Sequence, residues 1–146
     1  MITLRVLVVL IALGAARPAV AREDASGALL GLTFEKGQDF SHFDDAVPTG
    51  KTDAYTFHAR KGQRLIMKVE APDNDIAYSV YVPGATAWRE TYASPIYVEG
   101  TTLPGPAEHL ANTPWTIVLP ATGDYIIVFR STTGKDSWYG GAIIIR

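Results

Sequence analysis

Residues 53–70 of the chain read DAYTFHA, RKGQ and RLIMKVE in succession. In the first segment Tyr55, Phe57 and Ala59 share one face, and the residues between them share the other, which is the period of a half-buried β-strand. Gly62 follows where a tight turn needs a residue that tolerates positive φ. The pattern therefore predicts a hairpin whose returning strand is residues 64–70.

Similar short strands are expected on both sides of this segment. They are separated by turns rich in proline and glycine, and no window shows the sustained spacing of a long helix. We predict strands at residues 28–34, 76–82, 115–119, 125–130 and 142–146. Residues 85–113 are less regular, with one or two short strands followed by an extended loop at residues 100–112. The expected fold is all-β, a small two-sheet antiparallel β-sandwich of about 7–9 strands.

Residues 1–21 have the features of a secretory signal peptide. Arg5 precedes an apolar run at residues 6–16, and Ala19-Val20-Ala21 is the small-x-small pattern that precedes a cleavage site. An apolar run of about 11 residues is shorter than the roughly 20 that a membrane-spanning helix needs. We expect cleavage after Ala21, a flexible leader at residues 22–27 and a single domain at residues 28–146. The predicted location is periplasmic or secreted, with no membrane insertion after cleavage.

Composition restricts the possible function further. The chain has 146 residues, 47% of them hydrophobic, and no cysteine. This length allows one ordinary domain, and the lack of cysteine excludes disulfides, thiolate metal ligands and cysteine nucleophiles. Without the predicted signal peptide, 11 basic and 15 acidic side chains leave a formal charge of −4. A mildly acidic domain is a poor nucleic-acid binder, because that function depends on clustered lysine and arginine.

Motifs for catalysis are weak. Residues 50–52, Gly-Lys-Thr, match the end of a phosphate-binding loop, but Asp45 stands where the first glycine belongs, and a carboxylate there would repel phosphate. There is no serine nucleophile elbow, and the adjacency of Ser41 and His42 does not create hydrogen-bonded geometry. We therefore expect a protein that is not an enzyme, has no catalytic residue and uses no cofactor.

Two polar clusters contain possible metal ligands. His42 with Asp44 and Asp45 offers an imidazole and two carboxylates, which suit a divalent ion. Residues 73–75, Asp-Asn-Asp, resemble a fragment of a calcium loop, but the glycine and the distant glutamate of the full motif are absent. We interpret the first cluster as a solvated loop and the second as a turn, and we predict no metal site.

The order of several short motifs resembles one bacterial family. These motifs are Tyr55-x-Phe57, KGQRL at residues 61–65, VYVP at residues 80–83, Trp115, and LPATGDYII at residues 119–127. Together they are similar to the pre-peptidase C-terminal (PPC-like) domain over most of residues 28–146. The resemblance implies a small β-sandwich, in agreement with the strand pattern.

Among exported single-domain proteins of this type, the chain is similar to the periplasmic inhibitors of i-type and g-type lysozymes. In those inhibitors a loop with a Ser-Gly-x-Tyr pattern enters the substrate cleft of the lysozyme, and the matching residues here are Thr122, Gly123, Asp124 and Tyr125. The resemblance implies a hydroxyl donor at Thr122 and an aromatic anchor at Tyr125. The inhibitors also place arginines on the following strand, where this chain offers Arg130 at a different spacing.

Two alternatives stay open at this stage. Residues 122–125 suit a structural turn somewhat better than a binding loop, and alternation places Tyr125 on the same face as Ile127 and Phe129, which would be inward if that face is the core. The chain also suits a PPC-like binding or accessory module for polysaccharide or a protein partner. In that case the aromatic residues of the irregular segment would form the contact surface: Trp88, Tyr92 and Tyr97.

Overall fold

The structure is a computed structural model, and it describes residues 29–32, 34, 36–91 and 93–146. The predicted signal peptide and leader lie outside the described residues. The described part contains eleven strands: β1 (Leu30–Gly31), β2 (Phe40–Val47), β3 (Thr52–Ala59), β4 (Arg64–Glu70), β5 (Ile76–Tyr81), β6 (Thr86–Trp88), β7 (Tyr97–Glu99), β8 (His109–Leu110), β9 (Trp115–Val118), β10 (Gly123–Ser131) and β11 (Ser137–Ile145).

The strands form two main sheets and one small one. The first sheet has the order β1-β3-β10-β5-β8, the second has the order β2-β11-β4-β9, and β6 pairs with β7. All pairs are antiparallel except β1 with β3. The predicted all-β sandwich is confirmed.

Most predicted strands occur, with shifted ends. The strand at residues 64–70 is confirmed with the predicted bounds. The last strand starts at Ser137 rather than Ala142, and β8 lies inside the loop predicted at residues 100–112. Strand β2 was not predicted, because its sequence FSHFDDAV carries two aspartates and a histidine. Those polar residues obscure the inward positions Ser41, Phe43 and Val47, which are buried.

The predicted hairpin at residues 60–63 is wrong in one respect. Strand β3 pairs with β1 and β10, whereas β4 pairs with β11 and β9, so the turn joins the two sheets rather than two paired strands. Alternation along a sequence identifies a strand and its buried face, but it does not identify the partner strand. The turn itself is as expected, because Gly62 has a φ of 89°.

Aromatic side chains from both sheets fill the core. Four of them contact one another: Phe43, Tyr55, Phe129 and Tyr139. The Tyr139 hydroxyl of the second sheet donates to Asp53 Oδ2 of the first sheet at 2.8 Å, and it lies 2.9 Å from the Tyr55 hydroxyl. Burial raises the pKa of Asp53 and of Tyr139. This chain of polar contacts links the two sheets inside the core.

The outer faces of the two sheets differ. On the first sheet Ala54, Ala77 and Ile126 point away from the core and are nevertheless buried, and residues 84–87 line a cavity with Ile126 beneath them. The segment that contains β6 and β7 therefore covers part of this face. On the second sheet the side chain of Trp138 stands 62% exposed.

Candidate functional site

Two turns meet at one end of the sandwich. Residues 60–63 connect β3 to β4, and residues 119–122 connect β9 to β10. The Gly62 N–H donates to the Leu119 carbonyl at 2.8 Å, and the Leu119 N–H donates to the Gln63 carbonyl at 2.7 Å. These backbone bonds join the two turns, which we call the apex, into one unit.

Side chains at the apex extend this connection. The Lys61 N–H donates to Thr122 Oγ1 at 2.9 Å. On the adjoining strands, Asp124 Oδ1 lies 2.8 Å from His58 Nδ1, and both side chains are mostly exposed. An exposed pair of this kind contributes little to folding stability. Thr122 and Asp124 are therefore at the surface, where a partner could reach them, although one lone pair of the Thr122 hydroxyl is already in use.

Tyr125 is not at the surface, which corrects its expected role. Its side chain is 0% exposed and stacks on Phe57, with ring centroids 5.2 Å apart. Its hydroxyl donates to the Ala121 carbonyl at 2.6 Å and accepts from the Ala121 N–H at 3.2 Å. Burial raises the pKa of this hydroxyl. In this structure the ring closes the core beneath the apex, as the alternation with Ile127 and Phe129 indicated.

Both the backbone angle and the close approach of Pro83 require a glycine at position 123. Its φ is 149°, a value that residues with a Cβ rarely adopt, and an added Cβ would lie 2.8 Å from Cβ of Pro83. Glycine at this position lets the chain turn from the apex into β10 while remaining packed on Pro83.

Arg130 lies far from the apex, which corrects its expected association with the turn. It is five residues beyond Tyr125 on a single strand, a separation of about 17 Å. Its register neighbours are Thr52 and Ala77. The guanidinium makes two hydrogen bonds to the carboxylate of Glu108. The structure does not bring Arg130 together with Thr122 and Asp124.

Two cations at the apex were not singled out from the sequence. Arg60 and Lys61 are both exposed, and the Lys61 backbone bonds Thr122 directly. Both belong to the motif RKGQ, whose glycine predicts a turn and whose cations predict only an exposed surface. The fact that the second turn packs beside the first could not be read from local pattern, because sixty residues separate them.

Two of the acidic residues considered as metal ligands accept hydrogen bonds from the protein itself. Asp45 Oδ1 accepts from the Ala46 N–H at 2.7 Å. Asn74 has a φ of 52°, as expected for a turn, and the buried Asp75 accepts a hydrogen bond from Ser137 at 2.6 Å. Among the described residues there is no group of three or more histidines and acidic residues that could hold a metal ion.

The aromatic residues of the irregular segment form a small cross-strand pair. Trp88 and Tyr97 are opposite each other on β6 and β7, with ring centroids 5.9 Å apart. Tyr97 is 42% exposed, and Tyr92 lies outside the described residues. In the part of the chain that the structure describes, no helix is long and apolar enough to cross a membrane.

Comparison with solved structures gives the class of fold. The PliG protein of Aeromonas hydrophila, a periplasmic inhibitor of g-type lysozyme, matches with a TM-score of 0.57 and 20% identity over 81% of this chain and 96% of its own. PliG of Salmonella Typhimurium matches with a TM-score of 0.50 and 22% identity over 80% and 96%. The chain therefore has the β-sandwich fold of the PliG lysozyme inhibitors, as the sequence resemblance implied.

The fold also occurs in a protein of another kind. The Yersinia pseudotuberculosis-derived mitogen matches with a TM-score of 0.53 and 8% identity over 75% of this chain and 87% of its own. No protein-family model and no curated protein matches the chain. At these identities the likeness concerns the fold, and function has to be argued from the surface.

Proposed function

We propose that this protein is an exported, non-enzymatic inhibitor of a lysozyme, with the g-type class as the first target. Two of the solved structures that share its fold are inhibitors of g-type lysozyme from the periplasm. The signal-like residues 1–21 fit a periplasmic or secreted location. The observation that supports an inhibitory surface is the apex, where two turns fixed by backbone hydrogen bonds expose polar side chains at one end of the sandwich.

The rigidity of the apex suits a proteinaceous inhibitor. A loop that is already ordered loses little conformational entropy when it binds, so more of the contact energy appears as affinity. The buried ring of Tyr125 and the packing of Gly123 on Pro83 hold this loop from below. In this proposal Tyr125 positions the loop, Thr122 makes contact with the partner, and Asp124 stays bonded to His58 beside it.

The charge of the apex suits a glycosidase cleft. Glycoside hydrolysis commonly relies on carboxyl groups beside the scissile bond, which makes such clefts acidic. Arg60 and Lys61 are exposed beside Thr122. We expect one or both cations to face the acidic cleft, while Asp124 stays paired with His58 as it is in the free protein.

A cell-wall lysis assay tests the proposal. The purified mature chain is mixed at micromolar concentration with g-type, i-type or c-type lysozyme, and the decrease in turbidity is followed. We expect inhibition of the g-type enzyme. Absence of inhibition in all three classes would overturn the proposal, and inhibition of another class alone would overturn the choice of target.

A charge-matched pair of variants tests the location. Arg60→Ala/Lys61→Ala removes two cations at the apex, and Lys51→Ala/Lys135→Ala removes two exposed cations from turns at the opposite end. We expect the first variant to inhibit at least about tenfold less well, which corresponds to about 1.4 kcal/mol, and the second to inhibit like the wild type. Equal losses would indicate a general charge effect and contradict the apex as the contact surface.

A further inference from the structure

The outer face of the second sheet contains a cleft that the apex does not use. Its floor is the central strand β11, where the outward positions in the middle of the strand hold the small residues Gly140 and Ala142. The cleft has a volume of about 690 Å³, within the range of about 300–1,000 Å³ that is usual for small-molecule sites. It occupies the half of the sheet that lies away from the apex.

Polar side chains form the two walls of this cleft. Gly140 is in register with Asp44 on β2 and Glu70 on β4, and Ala142 is in register with His42 on β2 and Lys68 on β4. The side chains of Asp44, Lys68 and Glu70 are exposed. Within the described residues no hydrogen bond or ion pair engages these three side chains. Both donors and acceptors therefore face the cleft without internal partners.

An aromatic ring stands at one end of the cleft. Trp138 lines it and is the most exposed large hydrophobic residue among those that the structure describes, at 62%. An indole presents a flat apolar surface and one N–H donor. A ligand with a flat apolar face that stacks on this ring would remove apolar surface from water, which favours binding.

The combination of charges limits the ligand. Two carboxylates face one lysine, so an anionic polymer would meet a wall that is on balance negative, and an extended apolar segment would leave the three charges unpaired. A pyranose has hydroxyls for the donors and acceptors of the walls and an apolar ring face for the indole. We infer that this cleft, which we call the Trp138 cleft, binds a neutral oligosaccharide, with one sugar ring stacked on Trp138 and neighbouring hydroxyls bonded to Asp44, Lys68 and Glu70.

This inference is independent of the proposed inhibition of lysozyme. It also differs from the surface expected from the sequence for a polysaccharide module, because Trp88 and Tyr97 lie on the separate β6–β7 pair. Tyr97 offers an exposed aromatic ring outside the cleft and therefore serves as a control.

Titration calorimetry with neutral hexasaccharides tests the inference. The probes are cellohexaose, chitohexaose and mannohexaose, with hexagalacturonate as the anionic comparison. We expect at least one neutral hexasaccharide to bind with a Kd below about 1 mM, and hexagalacturonate to bind at least about tenfold more weakly. If no neutral hexasaccharide binds, or if the anionic one binds more tightly, the inference is overturned.

Four variants assign any binding to the cleft. Trp138→Ala and Gly140→Val are each expected to weaken it at least about tenfold, the first by removing the stacking ring and the second by filling the floor. A Cβ at Gly140 meets only ordinary contacts, at 3.5 Å or more, and thermal unfolding of Gly140→Val checks that the two further methyl groups leave the fold intact. Trp138→Phe should retain part of the affinity, and Tyr97→Ala all of it. Binding that survives Trp138→Ala, or that is lost in Tyr97→Ala, contradicts the assignment.

Two further measurements test self-association through the cleft and the independence of the two proposals. Sedimentation equilibrium of the wild type and of Trp138→Ala tests whether the cleft instead holds a second copy of the chain, and self-association that depends on Trp138 would overturn the inference. In the lysozyme assay Trp138→Ala should act like the wild type. We expect Trp138→Ala to lose sugar binding and keep inhibition, and Arg60→Ala/Lys61→Ala to lose inhibition and keep sugar binding. Because the two activities are measured separately, either proposal can fail while the other stands.

Discussion

The apex and the Trp138 cleft use aromatic residues in opposite ways. At the apex Tyr125 has its ring in the core and its hydroxyl bonded to Ala121, and the exposed groups around it are polar. In the cleft the ring of Trp138 is exposed and the strand beneath it carries small residues. The difference follows from strand alternation, because Tyr125 is on the inward face of β10 and Trp138 on the outward face of β11.

Burial, rather than membership of a motif, separates the two residues. Tyr125 belongs to a motif that resembles a binding loop, yet its contacts are internal. Trp138 belongs to no motif, yet its surroundings leave it without a cover in the described part of the chain. A tyrosine at a turn can thus anchor the turn to its own domain, and the burial of the ring decides between the two roles.

The largest effect is expected from truncating the buried ring. Tyr125→Ala removes the stacking on Phe57 and the hydroxyl bonds to Ala121, so we expect it to lower the free energy of unfolding by about 4 kcal/mol. Trp138→Ala removes an exposed ring and should change it by less than about 0.5 kcal/mol. Urea denaturation followed by circular dichroism measures both. Similar values for the two variants would contradict the assignment of one ring to the core and the other to the surface.

A smaller effect is expected from two neighbouring glycines in the cleft floor. Gly141 has a φ of 147°, and an added Cβ would lie 1.8 Å from the Lys68 carbonyl oxygen. We expect Gly141→Ala to lower the free energy of unfolding by about 3 kcal/mol, since backbone atoms must shift. Gly140→Ala meets only contacts of 3.5 Å or more and should be near neutral. Thermal unfolding compares the two, and equal melting temperatures would argue against this geometry at Gly141.

Much of the fold could be predicted from the sequence, because strands β3 and β4 alternate clearly, β10 is a run of β-branched and aromatic residues, and glycine or proline lies near the ends of all three. Strand β2 could not, since its outward face carries His42 and Asp44, and polar residues there look like a loop. The pairing of β3 with β10 and of β4 with β11 depends on contacts between residues far apart in the chain, which local periodicity does not encode.

The candidate site was predicted only in part. The turn containing Thr122 and Asp124 is at the surface, but the cations beside it come from a turn sixty residues earlier, and the two turns meet only once the sandwich has formed. Alternation did place Tyr125 on the same face as Phe129, and that local signal agreed with the structure where the family motif suggested an exposed ring. The cleft was missed because its walls come from β2 and β4, on either side of β11.

Removing only the Tyr125 hydroxyl separates packing from hydrogen bonding at the apex. Tyr125→Phe keeps the stack on Phe57 but leaves the Ala121 carbonyl without its partner at 2.6 Å. We expect a loss of about 1 kcal/mol in the free energy of unfolding. Because the ring position is retained, inhibition of lysozyme should change less than about threefold. A loss of inhibition much larger than this, with stability retained, would mean that the hydroxyl itself reaches the partner.

The smallest effect concerns Asp53, whose partner Tyr139 lies between Trp138 and Gly140 on β11. Burial raises the pKa of Asp53 above its ordinary value of 3.8, so the native state holds this proton more tightly than the unfolded chain does. The contribution of Asp53 to stability is therefore greatest at acid pH. It decreases as pH rises from about 3.8 through the native pKa, and it is constant above that value.

Asp53→Asn keeps an acceptor for the Tyr139 hydroxyl and removes the titration. We expect the stability of the wild type relative to Asp53→Asn to be higher near pH 4 than at pH 7, and urea denaturation at both pH values measures it. A relative stability that rises with pH would mean that Tyr139 stabilises the charged carboxylate by more than burial disfavours it.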